Sequence, residues 1–159
     1  MITDLYEVDL EVLDDAVCWR LVARAAFGRV AFFHAGELHV LPVNAAVKDK
    51  KVIFRVLDGS LIAAAGHGAT VAFESDEIDP STESGWSVLI RGSLWDVTDT
   101  LAATAWDELT VRSWAPGRRG RWMCVEPVGS VTGRMLSRRR VLSGPGESPD
   151  SSTPTSWPD

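Results

Sequence analysis

The stretch Gly28–Ala65, GRVAFFHAGELHVLPVNAAVKDKKVIFRVLDGSLIAAA, decides the fold. It reads as three short strands followed by the start of a helix. Arg29–His34 and Glu37–Val47 flank Ala35-Gly36, a two-residue connection suited to a tight hairpin with Gly supplying φ > 0. Asp49-Lys50 leads to Val52–Val56, rich in the β-branched and aromatic residues that pack on a pleated surface. Asp58-Gly59-Ser60 then opens onto Leu61-Ile62-Ala63-Ala64-Ala65, with Ser60 suited to cap a helix through its hydroxyl. This order places Arg55, near a strand end, a few residues from the free N–H groups of a helix start. Together they could hold a phosphate.

Working outward, the 159 residues suit one domain with a single core. Hydrophobic residues at 45% and charged ones at 24% are ordinary for a water-soluble globular protein. The net charge of −6 argues against general nucleic-acid binding, which rests on phosphate neutralisation. No apolar run is long enough to span a bilayer, and the acidic start MITDLYEVDLEVLDD is unlike a signal peptide. The expectation is a cytoplasmic protein without membrane or nucleic-acid partners. Cys18 and Cys124 then read as a buried reduced pair rather than a disulfide.

Upstream, Val17, Cys18, Leu21, Val22 and Ala25 recur at helical spacing from Asp14 or Asp15, and Phe27-Gly28 ends the helix. Downstream, Thr70–Glu74 reads as a fourth strand running into an acidic turn, Ser75–Pro80. Trp86–Val97 carries the longest strand signal, with Val88, Ile90 and Leu94 on one side and Gly92 marking a bulge or bend. A second helix is expected from Thr98 or Asp99 to about Leu109, and a turn at Trp114–Gly117. Arg121–Glu126 is the last clear strand, continued irregularly through Val128–Arg134. Residues 1–143 thus form one domain, and the Pro- and Ser-rich residues 144–159 read as a disordered tail. Five or six strands at hairpin spacing with two or three short peripheral helices predict a mainly β fold, a small, mostly antiparallel barrel.

The ordered series FGRVAFFHAGELHVLPVNAAV, VIFRVLDGSLIAAA, GWSVLIRGSLWDVTD, SWAPG and VEPVGSVTGR resembles the flavin-binding split β-barrel family related to pyridoxamine phosphate oxidase, in its actinobacterial-type branch. The resemblance covers roughly Val22 to Arg134. It implies a six-stranded antiparallel split β-barrel of Greek-key type, in a homodimer holding flavin mononucleotide (FMN), or a deazaflavin, in clefts between protomers. By resemblance, Pro42, Val43 and Asn44 run along the flavin ring, while Arg55, Val56 and Ser60 lie beside the ribityl phosphate. Trp86 and Ser87 match the strand whose start approaches the ring. Leu61 stands where members of this branch usually carry a phosphate-facing Lys. The arginine-bearing segment with which true pyridoxamine phosphate oxidases grip their substrate has no counterpart in the tail. Leu41, Val43 and Val47, alternating on one side of a strand, suggest an apolar face that a second copy covers.

The implied function is FMN-dependent hydride transfer with an unidentified small substrate. The alternatives are a flavin or deazaflavin carrier or sensor, and a scaffold that has lost its cofactor. Arg55 could instead pair with an acidic neighbour, Ser60 could serve only as a cap, and Asn44 could satisfy a backbone group. Trp86 and Trp114 adjoin loops and are candidates for stacking on a ligand. His34, His39 and His67 lack a metal-binding spacing, so no metal site is expected.

Overall fold

The structure, a computed structural model, describes residues 5–25, 27–100 and 120–141, together with positions 103, 106 and 111. Its elements are β1 (Leu5–Leu13), α1 (Asp15–Arg24), β2 (Phe27–His34), β3 (Glu37–Lys48), β4 (Lys51–Leu57), α2 (Leu61–Ala64), β5 (Ala69–Asp79), β6 (Ser84–Asp96), β7 (Gly120–Pro127) and β8 (Thr132–Val141). The β2–β3 hairpin turns through Ala35 at φ 51° and Gly36 at φ 83°. The β3–β4 hairpin turns through Asp49 at φ 52° and Lys50 at φ 54°. Two consecutive positive φ values match the right-handed twist of the flanking strands, which fixes both registers locally.

The strands run β6-β5-β2-β3-β4-β7 in space, and a further β6–β7 pairing closes them into a six-stranded antiparallel barrel. Because β5 returns to lie beside β2, the order β5-β2-β3-β4 is a Greek key. The long β6 changes partner along its length: Gly85–Leu89 pair with β8, and Gly92–Asp96 with β7. β8 in turn carries β1 on its outer edge, so a two-stranded flap extends the sheet beyond the barrel.

Alternation along each strand sends Val30, Phe32, Val52, Phe54, Val71, Phe73, Val88, Ile90 and Leu94 inward, all buried in one core. α1 adds Cys18, Trp19 and Val22 to it. Asp14 caps that helix by accepting from the Val17 N–H at 2.8 Å. A second cluster joins Ile53, Trp122 and Cys124 to Ala103, Trp106 and Val111 on the outer side of β4 and β7. Both cysteines are buried and free, and burial pushes the Cys124 thiol up to about 11. Neither is therefore a ready nucleophile.

Several expectations are corrected. The acidic start contains β1, and the irregular stretch is confined to Val128–Val131, since Thr132 opens β8, which holds Arg138 to Arg140. The expected acidic turn at Ser75–Pro80 is strand as far as Asp79, because β5 stays paired with β6 down to Asp79–Ser84. α1 ends at Arg24, before the expected Phe27-Gly28. Val43 lies in the core, with the partly buried Leu41 and Val47 packed against it. The exposed apolar side of that hairpin is the opposite one, with Phe33 across from Leu38 at 65% and 61% exposure. Gly92 is not a bulge: it pairs in unbroken register with Val71 and Pro127. The second helix lies largely outside the described residues, where only positions 103 and 106 are seen as helical. The turn at 114–117 and the tail at 144–159 also lie outside them.

Candidate functional site: a cleft at the fork between β3 and β4

β3 and β4 pair only from Ala45–Phe54 to Lys48–Lys51. Beyond Phe54 the strands part: Phe27 to Gly28 of β2 hold Asn44 and Val43, while Trp122 and Arg121 of β7 hold Arg55 and Val56. The parting leaves two strand edges that do not pair with each other, and a cleft of about 540 Å³ opens between them. Pro42, Val43 and Asn44 line one wall, Arg55, Val56 and Leu57 the other, and Ser60 and Ile62 the end. Unpaired strand edges offer backbone N–H and C=O groups to whatever enters.

Arg55 is the one ionisable residue among those lining the cleft. Its guanidinium carbon lies 4.9 Å from the Trp122 ring centroid, a cation–π stack that holds the side chain against the outer wall of β7. Nη2 donates to the Gly120 carbonyl at a long 3.4 Å, and the buried Nε has no partner among the described residues. The alternative reading of Arg55, a surface ion pair with an acidic neighbour, thus finds no such pair among the described residues. A neighbouring arginine, Arg121, takes the acids instead: it bonds Asp96 and sits 3.6 Å from Asp58. Burial alone would raise the Asp96 carboxyl, but Arg121 and the Thr98 donors outweigh it and hold the group below the usual carboxylate range.

Ser60 is the N-cap of α2, its Oγ accepting from the Ala63 N–H at 3.4 Å. Leu61 follows on the helix, 44% exposed, and is not among the residues lining the cleft. Leu61→Lys should therefore leave the free energy of unfolding unchanged within about 0.5 kcal/mol. Sequence reasoning missed four lining residues: Phe27, Leu41, Leu57 and Ile62. Phe27 was legible in principle, since the hairpin register places it directly across from Asn44.

Trp86 and Ser87 lie elsewhere. They line a second cleft of about 360 Å³ with Leu10, Ile78, Gly85, Arg134 and Leu136, where the flap meets the start of β6. The Trp86 indole N–H donates to Glu77 Oε2 at 3.3 Å. Within one chain these two residues are not brought together with the fork. Trp114 lies outside the described residues. Among those described, no group of three or more His, Cys, Asp or Glu could hold a metal, and no helix is long and apolar enough to cross a membrane.

Comparison with known proteins gives the geometry a context. An FAD-binding protein of Mycobacterium smegmatis superposes with a TM-score of 0.71 at 29% identity, over 80% of this chain and 98% of that one. An FAD-binding protein of Mesorhizobium loti shares the fold at 21% identity, with a TM-score of 0.67 over 80% and 99% of the two chains. The uncharacterized protein Rv0080 of Mycobacterium tuberculosis is 31% identical over 120 residues, 72% of this chain and 78% of its own. The family model described as pyridoxamine 5'-phosphate oxidase matches residues 14–132, which takes in α1, the whole barrel and both walls of the fork. The chain belongs to the pyridoxamine 5'-phosphate oxidase family.

Proposed function

We propose that the fork binds FMN and that the protein is a flavin-dependent oxidoreductase acting as a homodimer. The observation that carries this reading is the fork itself: an apolar slot bounded by the unpaired edge of Pro42–Asn44, with one guanidinium, Arg55, at its other wall. The ring system would lie along Pro42, Val43 and Asn44, with Phe27, Leu41 and Ile62 excluding water from its faces. The edge of β3 supplies fixed N–H and C=O groups for the polar rim of the ring. Arg55, with its orphaned Nε and an aromatic stack instead of a carboxylate partner, fits a phosphate group. Bound flavin would supply hydride chemistry, and the protein's share is position, polarity and dryness. The relatives described as FAD-binding support a flavin, and FMN is our choice among flavins.

A second copy is supported by the exposed apolar strip Phe33, Leu38 and Val40, which continues along the same hairpin to Phe27 and Pro42 at the cleft. Only from a second copy could Trp86 and Ser87 reach a flavin in this fork. A monomer mass by light scattering at micromolar concentration would refute the dimer.

The test is titration of the purified protein with FMN, FAD and riboflavin, after recording its absorption spectrum. FMN should bind more tightly than riboflavin. Arg55→Ala should weaken FMN by about ten- to hundredfold, roughly 1.5–3 kcal/mol, and leave riboflavin nearly unchanged. Equal losses for both ligands would make Arg55 a support of the fold, and tighter FAD than FMN would move the assignment to the dinucleotide. Leu61→Lys should bring a several-fold gain for FMN at low salt that fades as salt rises. No gain would put position 61 out of reach of the phosphate. Consumption of NAD(P)H with an acceptor would separate the enzyme from a carrier or sensor of flavin or deazaflavin, which shares the same site.

A further inference from the structure

Arg55 keeps its charge free of any acid among the described residues, in a chain whose net charge is −6, and β7 shows how it is held. Arg55 pairs directly with Trp122 in the β4–β7 ladder, so the two side chains share one face of the sheet. Gly120, two residues before Trp122, lies on that face too. The guanidinium lies over the Trp122 ring, 4.9 Å from its centroid. Its stem runs past Gly120, where an added Cβ would sit 3.3 Å from Arg55 Nε and 3.6 Å from Arg55 Cβ. Gly120 thus provides room and Trp122 a floor. That floor is firm: Trp122 is buried, and the buried Trp106 meets its ring at 6.3 Å between centroids and 70° between planes.

A carboxylate partner would cancel the charge and occupy the in-plane N–H groups that a phosphate needs. A ring face does neither: it orients the guanidinium by cation–π attraction and leaves its edge open. Among the described residues only Nη2 is engaged, on the Gly120 carbonyl at 3.4 Å. The acids at this end of the barrel are drawn off by Arg121, which bonds Asp96 and lies 3.6 Å from Asp58.

We propose that Gly120 and Trp122 are positioning residues that seat the Arg55 guanidinium for the phosphate of FMN, an assignment that rests on the phosphate reading of the fork. Neither residue lines the cleft, so both act through Arg55. The seat also accounts for arginine rather than lysine at position 55. An ammonium keeps the charge but has no plane to lay on the ring.

The experiment is calorimetric titration of the full chain and its variants with FMN and with riboflavin. Gly120→Ala and Trp122→Leu should each weaken FMN by roughly five- to tenfold and leave riboflavin unchanged. Trp122→Phe, which keeps a ring face, should retain most of the preference for FMN, and Arg55→Lys should lose most of it. In an Arg55→Ala background, neither Gly120→Ala nor Trp122→Leu should weaken FMN further. Equal losses for both flavins, or a further loss without Arg55, would overturn the proposal, since β7 would then support the fold or reach the ligand by another route. A preference for FMN that survives both variants overturns this inference alone. A wild-type protein that binds both flavins alike, or neither, brings down the phosphate reading and this inference with it. Trp122→Leu alters a buried residue, whereas Gly120→Ala adds one methyl group and removes nothing, so it answers the question even if the former does not fold. The seat itself is read without ligand by nuclear magnetic resonance, the Arg55 Nε–H signal being the one lost in Arg55→Lys. The Trp122 ring current should shift that signal upfield, and a signal at the position of a free arginine would overturn the proposal.

Discussion

Phe54→Ala should cost about 3–5 kcal/mol of folding stability, the range for truncating a fully buried aromatic. Phe54 has no exposed surface and lies across from Ala45, the last β3–β4 pair before the strands part. Alanine there would leave a cavity at the root of the fork, walled by paired strands that cannot collapse into it. Against a total of about 5–15 kcal/mol for an ordinary domain, such a loss takes much of the margin. Urea unfolding should show a lower midpoint with an unchanged slope. Phe54 lies outside the lining of the cleft while its neighbour Arg55 lines it, so the molecules that remain folded should keep their ligand affinity. A cost under about 1 kcal/mol would mean the barrel interior is loosely packed at this level.

Gly92→Ala should cost about 3 kcal/mol for the opposite reason, overcrowding. Gly92 is buried where β6 leaves β8 and takes up β7. An added Cβ would overlap the Glu126 carbonyl oxygen and lie 2.9 Å from both the Glu126 carbonyl carbon and Val125 Cγ1. A backbone carbonyl cannot rotate away as a side chain can, so the strain falls on the β6–β7 seam that closes the barrel. The hydrogen bond from the Val128 N–H to the Arg91 carbonyl, 2.8 Å, sits at the same point and should loosen with it. Gly36→Ala is the control. Gly36 has φ 83° but nothing within 4 Å of an added Cβ, so only the backbone penalty of about 1–2 kcal/mol applies. If thermal melts rank the two variants the other way, β7 does not close on β6 as described.

Amide exchange should divide the sheet in the same terms. The barrel strands carry the buried core, whereas Val8 and Val12 of the flap are 66% and 68% exposed. Protection should therefore be lower in β1 than in β4.

The barrel was legible because its evidence is local. Residues 28–57 hold two hairpins whose turns fix their own registers, and β5, β6 and β7 follow as apolar alternations with turn residues between them. The walls of the fork were legible for the same reason, since Pro42–Asn44 and Arg55–Ser60 are separated by one hairpin. The flap was not: Glu7-Val8-Asp9-Leu10-Glu11-Val12 alternates with period two, but its partner is Gly133–Val141 at the other end of the chain, and no turn joins them. Nor does anything in the sequence mark the residue at which β3 stops pairing with β4. That point is set by where β2 and β7 pull the two strands apart.

What the sequence by itself determined is the run of barrel strands along the chain, the two hairpins and the set of residues near Arg55. Tertiary structure alone decided which face of β3 is inside. Leu38 and Val40 on one side, and Leu41, Val43 and Val47 on the other, are both apolar, so alternation along the strand cannot rank them. Pairing of Gly28 with Val43 resolves the ambiguity, because an added Cβ at Gly28 would overlap the Phe73 ring and the Glu74 carbonyl. β2 packs that closely onto β5 only with its glycine side inward, and Val43, sharing that side, goes inward with it. The same choice turns Leu38 and Val40 out. The composition of each strand is a local property, whereas the face it buries depends on neighbours far away in sequence.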